Sequence, residues 1–183
     1  MFLEMVPCQH NCVPLFQHGS FLARFPAPKS KNRAYASLAA ISRGDPRKND
    51  FETMSTDGKR RRAYLPGLDD RERQQVVYFA IYPNLLLSLH PDYMMTHTLW
   101  PRAHDRTEIV CEWHFHPDEM AKPGFHADDA IEFWDLTNRE DWGIAERSQL
   151  GITSRVYQPG RYSVREELLW AFDEIVRREA GET

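Results

Sequence analysis

The stretch VVYFAIYPNLLLSLHPDYMMTHTLWPRAHDRTEIVCEWHFHPD, residues 76–118, decides the fold. It holds three runs rich in β-branched and aromatic residues, 76–82, 93–100 and 107–116, separated by Pro-Asn, His-Pro-Asp and Pro-Arg-Ala-His-Asp breaks. Residues of the first kind suit a pleated surface, and those of the second kind turn a chain. Short runs following one another with short breaks predict an antiparallel sheet, strand after strand. In the third run Glu108, Val110, Glu112, His114 and His116 alternate with Thr107, Ile109, Cys111, Trp113 and Phe115. Alternate side chains point to opposite faces of a strand, so this run has a buried face and a polar one, the latter turned to solvent or to a cavity.

Downstream the pattern changes to helix. Asp128 and Asp129 suit a helix N-terminus, no proline interrupts the chain up to Leu150, and Gly151 is placed for a C-cap. A last helix is predicted over 163–179, with Ser163 and Glu166 spaced as a capping box. His90, Pro91 and Asp92 read as a turn capped by Asp92, and His97, in mid-strand, as a satisfied core histidine.

Upstream, FETMSTDGKRRRAYLPGL holds the turn pairs Asp57-Gly58 and Pro66-Gly67, which predict a hairpin or a pair of edge strands. Residues 1–50 contain five prolines and no sustained period of 2 or 3.6, so they read as an irregular head in front of one domain over 51–183. Strands first and helices after make the fold class α+β.

The head carries seven Lys/Arg against three Asp/Glu, but without interleaved aromatics, so no nucleic-acid partner is expected. The whole chain has a net charge of -4 and 42% hydrophobic residues, an ordinary globular composition. No apolar run approaches the roughly 20 residues that span a bilayer, and the start lacks an export signal, so no membrane is expected. Cys8, Cys12 and Cys111 are too few for a disulfide framework, which points to the cytoplasm.

The candidate chemistry sits on the first helix. Residues three and four apart align Trp134, Asn138, Asp141, Ala145 and Ser148 on one face, an aromatic and small groups with a single carboxylate. Such a carboxylate, if buried, must be paired, hydrogen-bonded or metal-bound, because burying it bare costs several kcal/mol. Asp141 is therefore the candidate, Asp135 a weaker one, and an arginine partner or a rim position the structural alternative. Glu132, Arg139, Glu140, Glu146 and Arg147 read as a solvated face. His114 and His116 have a spacing that can place two imidazoles on one metal, but strand-end histidines that hydrogen-bond or face solvent are the expected reading. Cys8, His10, Cys12 and His18 lack a second ordered ligand pair and read as accidental clustering.

Two segments, PNLLLSLHPDY and NREDW…E..Q.G followed by SRVYQPGRYS, resemble the C-terminal catalytic region of Rieske-type oxygenase large subunits, in the manner of the ring-hydroxylating oxygenases and their choline- and betaine-type monooxygenase relatives. The resemblance covers roughly residues 50–180 and implies a helix-grip fold, an antiparallel sheet wrapped on a long helix. It also implies a two-histidine, one-carboxylate Fe(II) site whose carboxylate is Asp141, beside Trp134, Asn138 and Ala145 in a possible substrate cavity. Cys8 and His10 have the C-x-H spacing but no second pair at the family's distance, and the family's H-x4-H motif is not found in this sequence. The chain therefore reads as the C-terminal part of a large subunit, with the 2Fe-2S cluster and both iron histidines expected upstream. The complete enzyme would hydroxylate or dealkylate a small aromatic or quaternary-amine substrate with O2, fed by a reductase or ferredoxin and assembled as a homotrimer. The alternative function is a metal-free small-molecule-binding helix-grip module.

Overall fold

The computed structural model describes residues 51–181 and, as backbone, the two stretches 11–14 and 42–44. Six strands form one sheet in the order β1-β6-β5-β4-β3-β2. Four of them are consecutive and antiparallel: β3 (Val76–Ile81), β4 (Leu85–Leu89), β5 (Met94–Ala103) and β6 (Arg106–Phe115). The edges are closed by β1 (Asn11–Pro14), parallel to β6, and β2 (Ser42–Gly44), antiparallel to β3. Both edge strands come from the segment read as an irregular head; at three or four residues each they are too short to leave a period in the sequence. The cysteine and histidine cluster around Cys8 lies outside the described residues.

Two differences from the sequence reading have plain causes. Leu85–Leu89 is a strand of its own, although LLLSLH looks only like an apolar run, because both of its edges are paired and both of its faces are partly covered. The segment 51–67, expected to hold a hairpin, forms no strand. Its turns are real, with Gly58 at φ 74° and Gly67 at φ 84°. At Gly58 a side chain is excluded twice, by the positive φ and by the Phe51 ring occupying the space of a Cβ. This segment is held by side chains instead of by a ladder. The Arg62 guanidinium donates to Asp92 Oδ2 at 3.0 Å and to both oxygens of Asp129, at 2.7 and 3.1 Å. Thr53 donates to the other oxygen of Asp92 at 2.6 Å. Asp92 is thus not an exposed turn cap but a buried ion-pair partner.

Helix α1 (Pro117–Met120) follows the sheet, with the His116 ring accepting from the Asp118 N–H at its start. Helix α2 (Asp128–Ile152) then crosses one sheet face, and α3 (Glu167–Glu179) ends the described chain. Gly151 lies inside α2 and Thr153 closes it, so the helix outruns the expected cap. The last helix starts four residues later than expected, with Glu166 and not Ser163 at its N-cap and no side-chain cap bond; the Glu166 carboxylate accepts the Ser163 N–H at 2.6 Å in the turn before it. The core lies between α2 and the face of the sheet that carries Met95, Cys111, Trp113 and Phe115, with Tyr93, Ala127, Ala130 and Trp134 closing it. The alternation read in β6 thus holds, its other face being half-buried. This is the helix-grip arrangement, α+β as expected.

One hydrogen-bond chain ties the three parts together. Trp134 Nε1–H donates to the Tyr93 hydroxyl at 2.8 Å, and that hydroxyl donates to the Met54 carbonyl at 2.6 Å. Trp134→Phe removes a donor and part of a buried ring, so urea denaturation is expected to register a loss of about 1–3 kcal/mol. A midpoint equal to that of the parent would show the bond to be dispensable.

Candidate functional site

Beside this core, α2 and the sheet enclose a cavity of about 350 Å³, within the size range of small-molecule sites. The sheet supplies Tyr78 and Ala80 from β3, Leu86 and Ser88 from β4, His97 and Leu99 from β5 and Ile109 from β6. Pairing explains the set: Tyr78 lies opposite Ser88, Ala80 opposite Leu86, and Leu86 opposite His97, so alternate residues of adjacent strands meet on the face that looks at α2. The helix supplies Trp134, Asn138, Asp141 and Trp142, residues that a 3.6-residue period brings to one side.

Asp141 therefore reaches the cavity, but not as a buried residue. Trp134 and Asn138 are buried, Ala145 is half-buried and outside the cavity lining, and Asp141 itself is exposed. The face suited to burial is buried only along its first half, where the helix still lies over the core. Asp141 has no ion pair with any described residue, so the arginine partner allowed by the sequence is not found among them. Asp135 is held by Arg139 one turn on, at 2.8 Å, on the outer surface.

His97 is buried beside the helix. Its Nε2 lies 3.2 Å from Asn138 Oδ1, and Asn138 Nδ2 donates to Cys111 Sγ at 3.8 Å. With Asn138 oriented this way, the imidazole proton sits on Nε2. Burial lowers the histidine's pKa and the bond to Asn138 offsets only part of that, so the ring is neutral near pH 7. Burial also raises the Tyr78 phenol above its ordinary value, which keeps it a hydrogen-bond donor. Among the described residues the cavity lining thus has one carboxylate, neutral donors and acceptors, and the rings of Tyr78, Trp134 and Trp142 besides His97, with no Lys or Arg.

His114 and His116 are not brought to a common ligand point: His114 Nε2 lies 3.4 Å from Thr96 Oγ1, and His116 caps α1. Among the described residues no three His, Cys, Asp or Glu side chains come together as a metal site.

Asp141 thus stands seven residues past the buried Trp134, at the cavity under the long helix. The model of the ring hydroxylating alpha subunit (catalytic domain) family matches residues 17–182. The chain belongs to this family. Its match begins at residue 17, within the stretch read as the head. A glycine betaine monooxygenase oxygenase subunit of Pseudomonas aeruginosa is 36% identical over 72 residues, 39% of this chain and 17% of that one. The corresponding subunit of Chromohalobacter salexigens is 30% identical over 81 residues, covering 44% and 18%. Chloroplastic choline monooxygenase of Arabidopsis thaliana is 25% identical over 103 residues, covering 56% and 24%. The aligned parts thus span less than a quarter of the curated relatives. No helix among the described residues is long and apolar enough to cross a membrane.

Sequence reasoning found Asp141, Trp134 and Asn138, because helical spacing is regular. It missed Tyr78, Ser88 and Trp142 as cavity residues and took His97 as core alone. One signal for Ser88 was present, a lone hydroxyl inside the apolar run LLLSL.

Proposed function

We propose that this catalytic domain belongs to a Rieske-type non-haem iron oxygenase that oxidises a small organic substrate, a quaternary amine or an aromatic compound, with O2. The observation that carries the reading is Asp141, which lines the cavity on the helix of a ring-hydroxylating catalytic domain without an ionic partner among the described residues. In this reading Asp141 is the carboxylate of a mononuclear Fe(II) site whose two histidines lie outside the described residues. Bound iron supplies open coordination positions for O2 activation. The chain's own contribution is the cavity: Trp134, Trp142 and Tyr78 offer π faces to a cationic or aromatic ligand, and the apolar sheet residues exclude water. Electrons come from a 2Fe-2S cluster served by a reductase or ferredoxin, and a homotrimer is the expected assembly. Both belong to the complete enzyme.

The test is iron content. In a form of the protein that carries an upstream H-x4-H segment, Asp141→Ala is expected to lower Fe(II) retained after anaerobic loading and desalting at least tenfold, with the far-UV circular dichroism kept. Full iron retention by the folded variant would overturn the assignment of Asp141. Retention of ligand binding by a parent protein that takes up no iron would favour the metal-free binding module instead.

A further inference from the structure

His97 has one nitrogen that the fold uses and one that it does not. Nε2 lies 3.2 Å from Asn138 Oδ1, while Nδ1 is buried and has no hydrogen-bond partner among the described residues. The side chain is only 8% exposed, and it belongs to the lining of the cavity. A polar atom removed from bulk water usually finds a partner, since leaving it without one costs free energy. No other atom in the lining's described side chains is both buried and unpaired. The neighbours fix what this nitrogen offers. Asn138 Nδ2 donates to Cys111 Sγ, so the amide presents its oxygen to the ring and the imidazole proton stays on Nε2. Nδ1 then keeps its lone pair and can only accept. The ring stands edge-on to Trp134, with centroids 5.9 Å apart, and His97 is paired opposite Leu86, which holds it at the cavity wall.

We infer that His97 is a specificity-determining residue of the cavity, its Nδ1 accepting a hydrogen bond from an O–H or N–H group of the substrate. This rests on the reading of the cavity as the substrate site and of Asp141 as the iron carboxylate. A ligand without a donor leaves Nδ1 unpaired, whereas one with a donor supplies the missing partner and gains that bond. A quaternary nitrogen carries no N–H and offers it nothing. With Asp141 committed to the metal, the described lining has no further carboxylate to balance a cation and no Lys or Arg to balance an anion. What remains favoured is a neutral molecule: flat enough to lie against Trp134 and Trp142, apolar over most of its surface, and carrying one donor. The class selected is an aromatic ring with a hydroxyl or amino substituent, its donor turned toward β5.

The experiment is isothermal titration of the full chain, without added iron, with phenol and toluene, which have nearly the same shape and differ in one O–H. His97→Phe removes the acceptor and keeps a ring beside Trp134. It is expected to lower the affinity for phenol about tenfold, the scale of one buried hydrogen bond, and to leave that for toluene unchanged. Equal changes for the two probes would show a packing effect and overturn the inference, as would a parent chain that binds neither. If His97→Phe does not fold, the parent protein decides. The 15N resonance of His97 Nδ1 is expected to move on addition of phenol and to hold its place with toluene, and a resonance that ignores phenol overturns the inference. Because no iron takes part, failure of the Asp141 assignment appears in the iron test alone and leaves this discrimination standing.

Discussion

Arg62→Ala is expected to lower the unfolding free energy by about 3–5 kcal/mol, the loss typical of removing one partner from a buried charge cluster. Arg62 is 4% exposed and Asp92 is fully buried. Without the guanidinium, Asp92 keeps only the Thr53 hydroxyl, and it must either stay charged in a dry site or take up a proton. Burial already raises the Asp92 carboxyl above its ordinary range, with the Arg62 charge holding it back in part. Asp129 loses less, since Arg61 lies 3.5 Å away and can follow it. The guanidinium also stacks near the Tyr93 and Phe115 rings, at 5.6 and 5.1 Å from their centroids, so truncation opens space in the core as well. Lysine is not expected to rescue, because one ammonium group cannot reproduce a fork that serves two carboxylates from three nitrogens. Urea denaturation followed by tryptophan fluorescence measures this. A loss under 1 kcal/mol, or equal stability of Arg62→Lys, would mean that packing and not the charge cluster holds segment 51–67 to the sheet.

The second large effect is acid destabilisation through His90. This ring is buried, stacked on Tyr93 at 4.2 Å and edge-on to Trp134 at 5.6 Å, and neither of its nitrogens has a partner among the described residues. Burial, with the nearby Arg62 charge, pushes its pKa down to about 3 from the ordinary 6.5. The sign follows from proton counting. Between those two values the unfolded chain binds the proton and the folded chain does not, so folding stability rises with pH and is lost as pH falls. The slope is about 1.4 kcal/mol per pH unit for one such group, or roughly 5 kcal/mol across the window. His97, lowered for the same first cause, adds in the same direction. Melting temperatures between pH 6.5 and 5, above the carboxylate range, isolate the histidines. His90→Phe is expected to remove about one proton's worth of slope there. An unchanged slope in that variant would show that His90 is protonated within the fold.

Much of the frame was legible beforehand because it depends on period and punctuation. The three runs 76–82, 93–100 and 107–116 became strands, and the unbroken 128–150 segment became α2, since alternation and helical spacing report local geometry directly. Segment 51–67 was misread for a reason of the same kind in reverse. Its turn residues are local and were found, but what they connect is decided by Arg62 meeting Asp92 and Asp129, 30 and 67 positions away in the chain. Asp92 in its His-Pro-Asp context looked like a turn residue for the same reason.

The sequence by itself determined the α+β order, from the succession of periods along the chain, and the helix on which Asp141, Trp134 and Asn138 share a side, from spacing within a single element, while two segments carried the resemblance to the family. Only the tertiary structure decided that Asp141 is exposed and without an ionic partner among the described residues, that Ala145 falls outside the cavity, and that Tyr78, Ser88 and His97 stand at it. Which residues of four strands and a helix surround one space depends on register between strands and on where along the sheet the helix lies. No single element encodes either, and both are settled by the long-range packing of Trp134, Tyr93 and the Arg62 cluster.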